Sequence, residues 1–381
     1  MKAAVLSAVG RIEIRDVPVR QPGRGEVLLR PRTIGLCGTD FHIYEGHANY
    51  NTDGRGERIP LEDQPQVLGH EIVATVEDLG PGVTDLSVGD DVVVDQGINC
   101  LSAAREPRCE YCATGDSHQC AFYREHGITG LPGGLAEFVT MPAVNTIPIA
   151  ADVRRDHAAL TEPLGCIVHA SDMVARAHGR YVIDHADPSR RVRTALVSGA
   201  GPAGLLFIQY LRQALGWQGR ILVVDPNPLK RALAARFEAE PIELGKGDDV
   251  VSAVQDLTSG CRVEYLIDAS GVASLFKEIP GILRKQGTVL LYGHGHAGVD
   301  LSVLNNVQFL EPTLVSPVGA SGGFLEDGRP ATYRRALDLI ATGRVEAAPI
   351  ITHRYSSLDQ VPAAFAGAHR AADYVKGIVE L

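Results

Sequence analysis

The chain has 381 residues, 45% of them hydrophobic and 22% charged, and its 36 Lys and Arg against 46 Asp and Glu give a formal charge of −10. That length holds two or three domains, each with its own core, and the composition is that of a water-soluble globular protein. The acidic balance excludes a general nucleic-acid binder, whose phosphate contacts need a basic face.

At the N-terminus the apolar run is short and gives way to Arg11, Glu13 and Arg15, too weak for a secretory signal. A cytoplasmic location is therefore expected, and in that reducing compartment clustered cysteines serve as metal ligands rather than disulfides. Residues 1 to about 160 read as β-rich, with apolar runs at 27–29, 72–76 and 91–94 separated by Gly, Pro and Asp turns. From about 160 to 320 short apolar strands alternate with helical stretches. Residues 195–198 lead into an apolar helix, 221–224 precede a helix bearing Lys230, Arg231 and Arg236, and 265–268 and 289–292 are further buried strands. Such alternation indicates an α/β fold with a parallel sheet and crossover helices. The longest uncharged stretch, 194–211, approaches the length of a membrane span. Its glycines and proline make it a strand, a tight turn and a helix instead, and no membrane partner is expected. The tail carries an amphipathic helix around 333–341 and closes on the apolar run 374–379.

The turn at Gly199-Ala200-Gly201-Pro202-Ala203-Gly204 fits G-x-G-x-x-G between a strand and a helix. The first glycine permits the tight turn, the second lets the backbone approach a pyrophosphate, and the third lets the helix pack on the strand. The helix N-terminus then offers N–H groups to the phosphates. The next strand ends in Asp225, 21 residues after Gly204, where a carboxylate accepts the ribose hydroxyls and repels a 2′-phosphate. NAD is thus expected over NADP, and Ser270 and Gly293, just beyond the third and fourth strands, are counted with the cofactor site.

Three segments carry metal-binding residue types: Gly35-Leu36-Cys37-Gly38-Thr39-Asp40-Phe41-His42, Gly69-His70-Glu71 and Thr161-Glu162-Pro163-Leu164-Gly165-Cys166. In this order, ahead of a nucleotide-binding turn, they resemble the zinc-dependent medium-chain dehydrogenases, and more narrowly the polyol, sugar and threonine dehydrogenase branch, which carries Glu-Pro-Leu at the third segment. The likeness extends to Gly133-Gly134-Leu135-Ala136-Glu137-Phe138 and over nearly the whole chain. It implies Cys37 and His70 as ligands of a catalytic Zn²⁺, with Glu71 and Glu162 supplying the remaining oxygen positions, one of them exchanging for water or substrate. Such an N/S/O set with an open position is what a catalytic zinc requires. Neighbouring strand residues face opposite sides, so His70 and Glu71 reach one ion only if the backbone bends there. Cys166 is a rival ligand. The resemblance also implies Asp40 as the acceptor that orients the histidine, and Thr39 and His42 as the path for the substrate proton.

The second cluster is Cys100, Cys109, Cys112 and Cys120. The family's structural zinc loop reads C-x2-C-x2-C-x7-C, and Cys109, Cys112 and Cys120 match its last three ligands. The first gap holds eight residues instead of two, a small cost in loop entropy. Cys100 is expected as fourth ligand of a second, structural zinc, with His118 as the alternative. The segment between Cys37 and His70 is also longer than usual, and its Tyr44, His47, Asn49, Tyr50, Asn51, Asp53 and Arg55 either border the active site or form a surface loop.

The resemblance implies a GroES-like β-rich catalytic domain (1–163, completed by 320–381) and an NAD-binding Rossmann domain with a doubly wound parallel sheet (164–319). It implies an NAD-dependent, zinc-containing oxidoreductase acting on a secondary alcohol of polyol, sugar or hydroxy-amino-acid type, as a homo-oligomer, dimer or tetramer. Two other readings are a zinc-independent enone reductase of the same superfamily, which has no use for Cys37, His70 and Glu162, and a non-catalytic nucleotide-binding protein on this scaffold.

Overall fold

The strand Glu26–Leu36 serves three partners because its eleven residues stay largely buried along their length. It pairs antiparallel with Glu71–Leu79 on one edge; on the other it pairs with Val139–Pro142 over its first residues and Lys376–Glu380 over its last. The sheet so built runs Thr146–Pro148, Asp91–Val94, Glu71–Leu79, Glu26–Leu36, Lys376–Glu380, Ile351–Tyr355. A smaller sheet joins Arg11–Asp16, Lys2–Ala8 and Gln66–Val67. These findings come from a computed structural model that describes residues 1–245, 248–296, 298, 300–320 and 322–381.

Two apolar clusters hold these sheets. One gathers Val27, Leu29, Ile72, Val76, Val92 and Met141, and the other Leu36, Phe41, Ile43, Leu68, Leu135 and Phe365. Each fully buried side chain of this kind contributes about 1.5–3 kcal/mol. A one-residue slip would turn the strand residues among them outward, so the pairing register is strongly fixed. That register sets Gly35 opposite Glu71 and Gly377 opposite Leu36. It thereby brings the neighbourhoods of Cys37, Glu71 and Lys376 together, although they are far apart in sequence.

The region from 194 to 315 forms a parallel six-stranded sheet in the order Glu240–Pro241, Arg220–Val224, Thr194–Ser198, Val263–Asp268, Leu283–Leu291, Thr313–Val315. The four inner strands are the runs legible in the sequence. Their central residues are buried and largely apolar, as in strands covered on both faces, and Leu196, Leu222, Leu266 and Val289 are wholly inaccessible. The two outer strands are two and three residues long, too short to leave an apolar pattern.

Packing divides the chain into two units, Met1–Cys166 with Ala320–Leu381, and Ile167–Gly319. The division falls within the helix Thr161–Arg176, whose first turn carries Glu162. Among the described residues no helix is long and apolar enough to cross a membrane.

Candidate active site

Cys37 follows the long strand and caps the helix Gly38–Tyr44. Asp40, in the first turn of that helix and wholly buried, turns back on it. Its Oδ2 accepts the Cys37 N–H at 2.9 Å, and its Oδ1 accepts the Gly69 N–H at 3.1 Å and lies 3.4 Å from His70 Nδ1. One carboxylate thus ties the cysteine turn to the histidine turn.

Gly69 has φ +88°, a conformation that side chains rarely adopt, and a Cβ there would lie 2.9 Å from atoms of both Ile34 and Leu135. The strand proper begins only at Glu71, leaving His70 in the turn before it. The alternation that would send the two side chains apart therefore does not apply to this pair. Cys37, His70 and Glu71 each offer a ligand atom, and these atoms lie within 4.8 Å of one another.

The set fits a divalent cation. Sulfur, imidazole and carboxylate are zinc donors, and Glu71 Oε2 is buried with no hydrogen-bond partner. Burial opposes a charge on His70, yet Asp40 and Cys37 outweigh it and hold the imidazole well above its usual value, so the pocket favours positive charge.

Glu162 stands outside this group of three. Its Oε1 accepts Gln96 Nε2 at 3.2 Å and the Cys166 thiol, one helical turn on, at 3.4 Å. Burial, reinforced by Glu71 and opposed by His70, pushes Glu162 up to about 7. Cys166 is likewise apart from the group, and its thiol is raised by the same burial. Thr39 Oγ1 lies 3.8 Å from Cys37 Sγ, and His42 is one turn further along the helix.

The residue that sequence reasoning missed is Lys376. Its Nζ donates to Glu71 Oε1 at 2.5 Å, and both side chains are almost completely buried. Burial would lower Lys376, but Glu71 and Cys37 carry it above its ordinary value. The one available signal was a lysine inside the apolar closing run 374–379. Gln96 was missed too; besides holding Glu162, its Oε1 accepts the Tyr333 hydroxyl at 2.6 Å.

The insert after Tyr44 folds back on this unit. Asn51 is buried beside Gly130, and Asp53 Oδ1 accepts the N–H groups of Arg55 and Glu57 in a small hairpin. Burial raises the Tyr50 phenol, with Glu125 and Cys37 adding to the rise.

The four cysteines of the second cluster also converge, each offering a sulfur within 4.8 Å of the others. Cys100 Sγ is 3.7 Å from Cys120 Sγ, and Cys109 Sγ is 3.9 Å from it, far beyond the roughly 2.05 Å of a disulfide. The longer first gap is taken up by a turn in which Asn99 Oδ1 accepts two N–H groups, while Arg105 lies over the Phe122 ring at 3.8 Å. Backbone N–H groups of Cys112 and Ala121 pull Cys109 down to about 6, whereas burial raises Cys112 and Cys120. His118 lies outside the sulfur cluster, and its Nε2 accepts the Ala320 N–H at 3.2 Å.

In the other unit, Gly199 ends a strand with φ +96°, and Gly201 caps the helix Pro202–Gln209. A Cβ on Gly204 would sit 1.9 Å from the Gly199 carbonyl oxygen, so no other residue fits there, while one on Gly201 would meet nothing within 4 Å. Pro202 opens the helix and Ala203 lies in its first turn. Asp225 accepts the Ala200 N–H and the Asn227 N–H, both at 2.8 Å, which aims its carboxylate at the turn. Arg231 is turned towards Glu243 and the Asp225 carbonyl, so it does not neutralise the Asp225 carboxylate directly. Ser270 Oγ is 3.2 Å from Ser198 Oγ, and the Gly293 N–H donates to the Asp268 carbonyl at 2.8 Å.

Comparison with known proteins matches residues 23–151 to the alcohol dehydrogenase GroES-like domain and residues 202–342 to the zinc-binding dehydrogenase domain. An L-threonine 3-dehydrogenase of Thermococcus kodakarensis is 31% identical over 93% of this chain and 90% of its own. A sorbitol dehydrogenase of Halalkalibacterium halodurans is 27% identical over 93% of both. The crystal structure of galactitol-1-phosphate dehydrogenase from Escherichia coli superposes with a TM-score of 0.80 over the whole of both chains, at 21% identity, and shows the shared fold.

Proposed function

The chain belongs to the zinc-type medium-chain dehydrogenases, on their threonine- and polyol-dehydrogenase-like branch, and from that premise we propose how its own residues oxidise a secondary alcohol. Cys37 and His70 would hold the catalytic zinc, with Glu71 as third protein donor and Glu162 as the oxygen that would exchange for water or substrate. The observation that carries this reading is the gathering of Cys37, His70 and Glu71 donor atoms within 4.8 Å. Zinc, when bound, supplies Lewis acidity towards the alcohol oxygen, and NAD, when bound, accepts the hydride.

The protein fixes geometry and moves the proton. Asp40 orients the His70 ring through Nδ1, a common support for a ligating imidazole. Thr39 Oγ1 takes the substrate hydroxyl proton and passes it to the His42 ring, three residues on along the same helical face. The four cysteines at 100, 109, 112 and 120 hold a second, structural zinc. At the Gly199–Gly204 turn, backbone N–H groups receive the pyrophosphate and Asp225 the adenosine ribose.

The Asp225 carboxylate favours NAD over NADP, and replacing Asp225 with Ala should shrink the ratio of kcat/KM for NAD to that for NADP by about tenfold or more. An unaltered ratio would remove Asp225 from the discrimination. The substrate is a secondary alcohol of polyol, sugar or hydroxy-amino-acid type. A panel of such compounds, assayed for NADH formation with and without a chelator, should show turnover that metal removal abolishes and zinc restores; full turnover in thoroughly demetallated protein would overturn the reading. A cytoplasmic, homo-oligomeric enzyme, dimer or tetramer, belongs to the same reading. The location is supported by seven cysteines that form no disulfide, and light scattering on the purified protein measures the assembly.

A further inference from the structure

Asp268 ends an inner strand of the parallel sheet, is wholly inaccessible, and takes no part in the chemistry above. Its Oδ1 accepts the Ser270 N–H at 3.1 Å, the Ser270 hydroxyl at 2.9 Å and the Gly271 N–H at 3.0 Å. Among the described residues its Oδ2 takes a single partner, His296 Nε2, at 2.6 Å. The His296 ring also meets Phe276 edge-on at 5.1 Å.

The loops joined by this bond are pressed together. A Cβ on Gly271 would lie 2.1 Å from the His294 carbonyl oxygen, and one on Gly293 would lie 2.3 Å from the Gly271 nitrogen. Together 268–271 and 293–296 make a floor at the carboxyl end of two neighbouring strands, Val263–Asp268 and Leu283–Leu291. The place of that floor follows from the sheet order. Asp225 stands on one side of the Gly199–Gly204 turn, and strand Val263–Asp268 stands on the other. A dinucleotide with its adenosine ribose at Asp225 and its pyrophosphate at the turn must extend its remaining half over Ser270 and Gly293.

We propose that His296 is a positioning residue for the nicotinamide half of the cofactor: its bond to Asp268 latches the 293–296 turn onto the floor beneath that half. A preformed floor spares the ordering that binding would otherwise cost. Without the latch, Asp268 Oδ2 also loses its hydrogen bond from His296, and a buried acceptor left without that donor costs free energy.

The proposal rests on the reading of the Gly199–Gly204 turn as the cofactor site, and the test separates the two. Zinc-loaded protein is titrated calorimetrically with NADH and with ADP-ribose, which lacks the nicotinamide. In His296→Ala, and in His296→Phe, which keeps the ring against Phe276 but removes the donor, the Kd for NADH should rise about tenfold, while that for ADP-ribose stays within twofold. His296→Gln, which can still donate to Asp268, should recover most of the NADH affinity. Equal weakening of both ligands, or unchanged NADH affinity in Ala and Phe variants that bind ADP-ribose normally, overturns the latch alone. Failure of the unaltered protein to bind ADP-ribose overturns the cofactor reading and the latch with it.

Discussion

Cys100, Cys109, Cys112 and Cys120 come from one short stretch of chain, whereas the Cys37, His70 and Glu71 set draws on two separate segments and on a lysine from the last strand. The sulfur cluster is closed by local turns. Its eight-residue first gap, where the family has two, changes only a small loop-closure term, and the four sulfurs still meet. The mixed-donor set depends instead on the register of strands distant in sequence, Gly35 against Glu71 and Gly377 against Leu36. One set is gathered by local turns and the other by pairing between strands distant in sequence.

Each half of that comparison can be broken separately. Replacing Cys37 with Ala should lower kcat by at least about a thousandfold, the several kcal/mol of transition-state stabilisation a catalytic metal supplies. Zinc bound by the four cysteines and the Kd for NADH should be unchanged. Loss of NADH binding in parallel would mean a folding defect and would void the assignment.

In Cys112→Ala the pattern should reverse. One zinc per chain is lost and the thermal midpoint falls by on the order of 10 °C, as for a structural contribution of several kcal/mol in a chain of this size. The protein that stays folded should retain most of its turnover. A variant with full zinc content and an unshifted midpoint would remove the structural site.

Lys376→Met sharpens the comparison from the long-range side. It leaves the Glu71 carboxylate buried without its partner, which should cost about 3–5 kcal/mol in denaturant unfolding. The double variant Lys376→Met, Glu71→Gln should recover much of that loss, because no unpaired charge remains. A single variant as stable as the original would show that the register argument overstates the pair.

What the sequence disclosed follows the same division. The parallel-sheet strands, the Gly199–Gly204 turn with Asp225, and the cysteine cluster were readable because their signals are local: apolar runs, spacing and a fixed offset between turn and carboxylate. The strand Ile351–Tyr355 was not, since Thr352, His353 and Arg354 break any apolar pattern and its place is set by pairing with Lys376–Glu380. Lys376 and Gln96 were invisible for a related reason, because their partners are 305 and 66 residues away. The bend that His70 and Glu71 need to share one ion is made at the turn through Gly69, just before the strand starts at Glu71.

The most direct test of the account is anomalous diffraction from crystals of the purified protein at the zinc absorption edge. Two peaks per chain are predicted, one touching Cys37 Sγ and a His70 ring nitrogen, the other among the sulfurs of Cys100, Cys109, Cys112 and Cys120. Density at the four sulfurs with none between Cys37 and His70, in crystals grown from fully active enzyme, would contradict it.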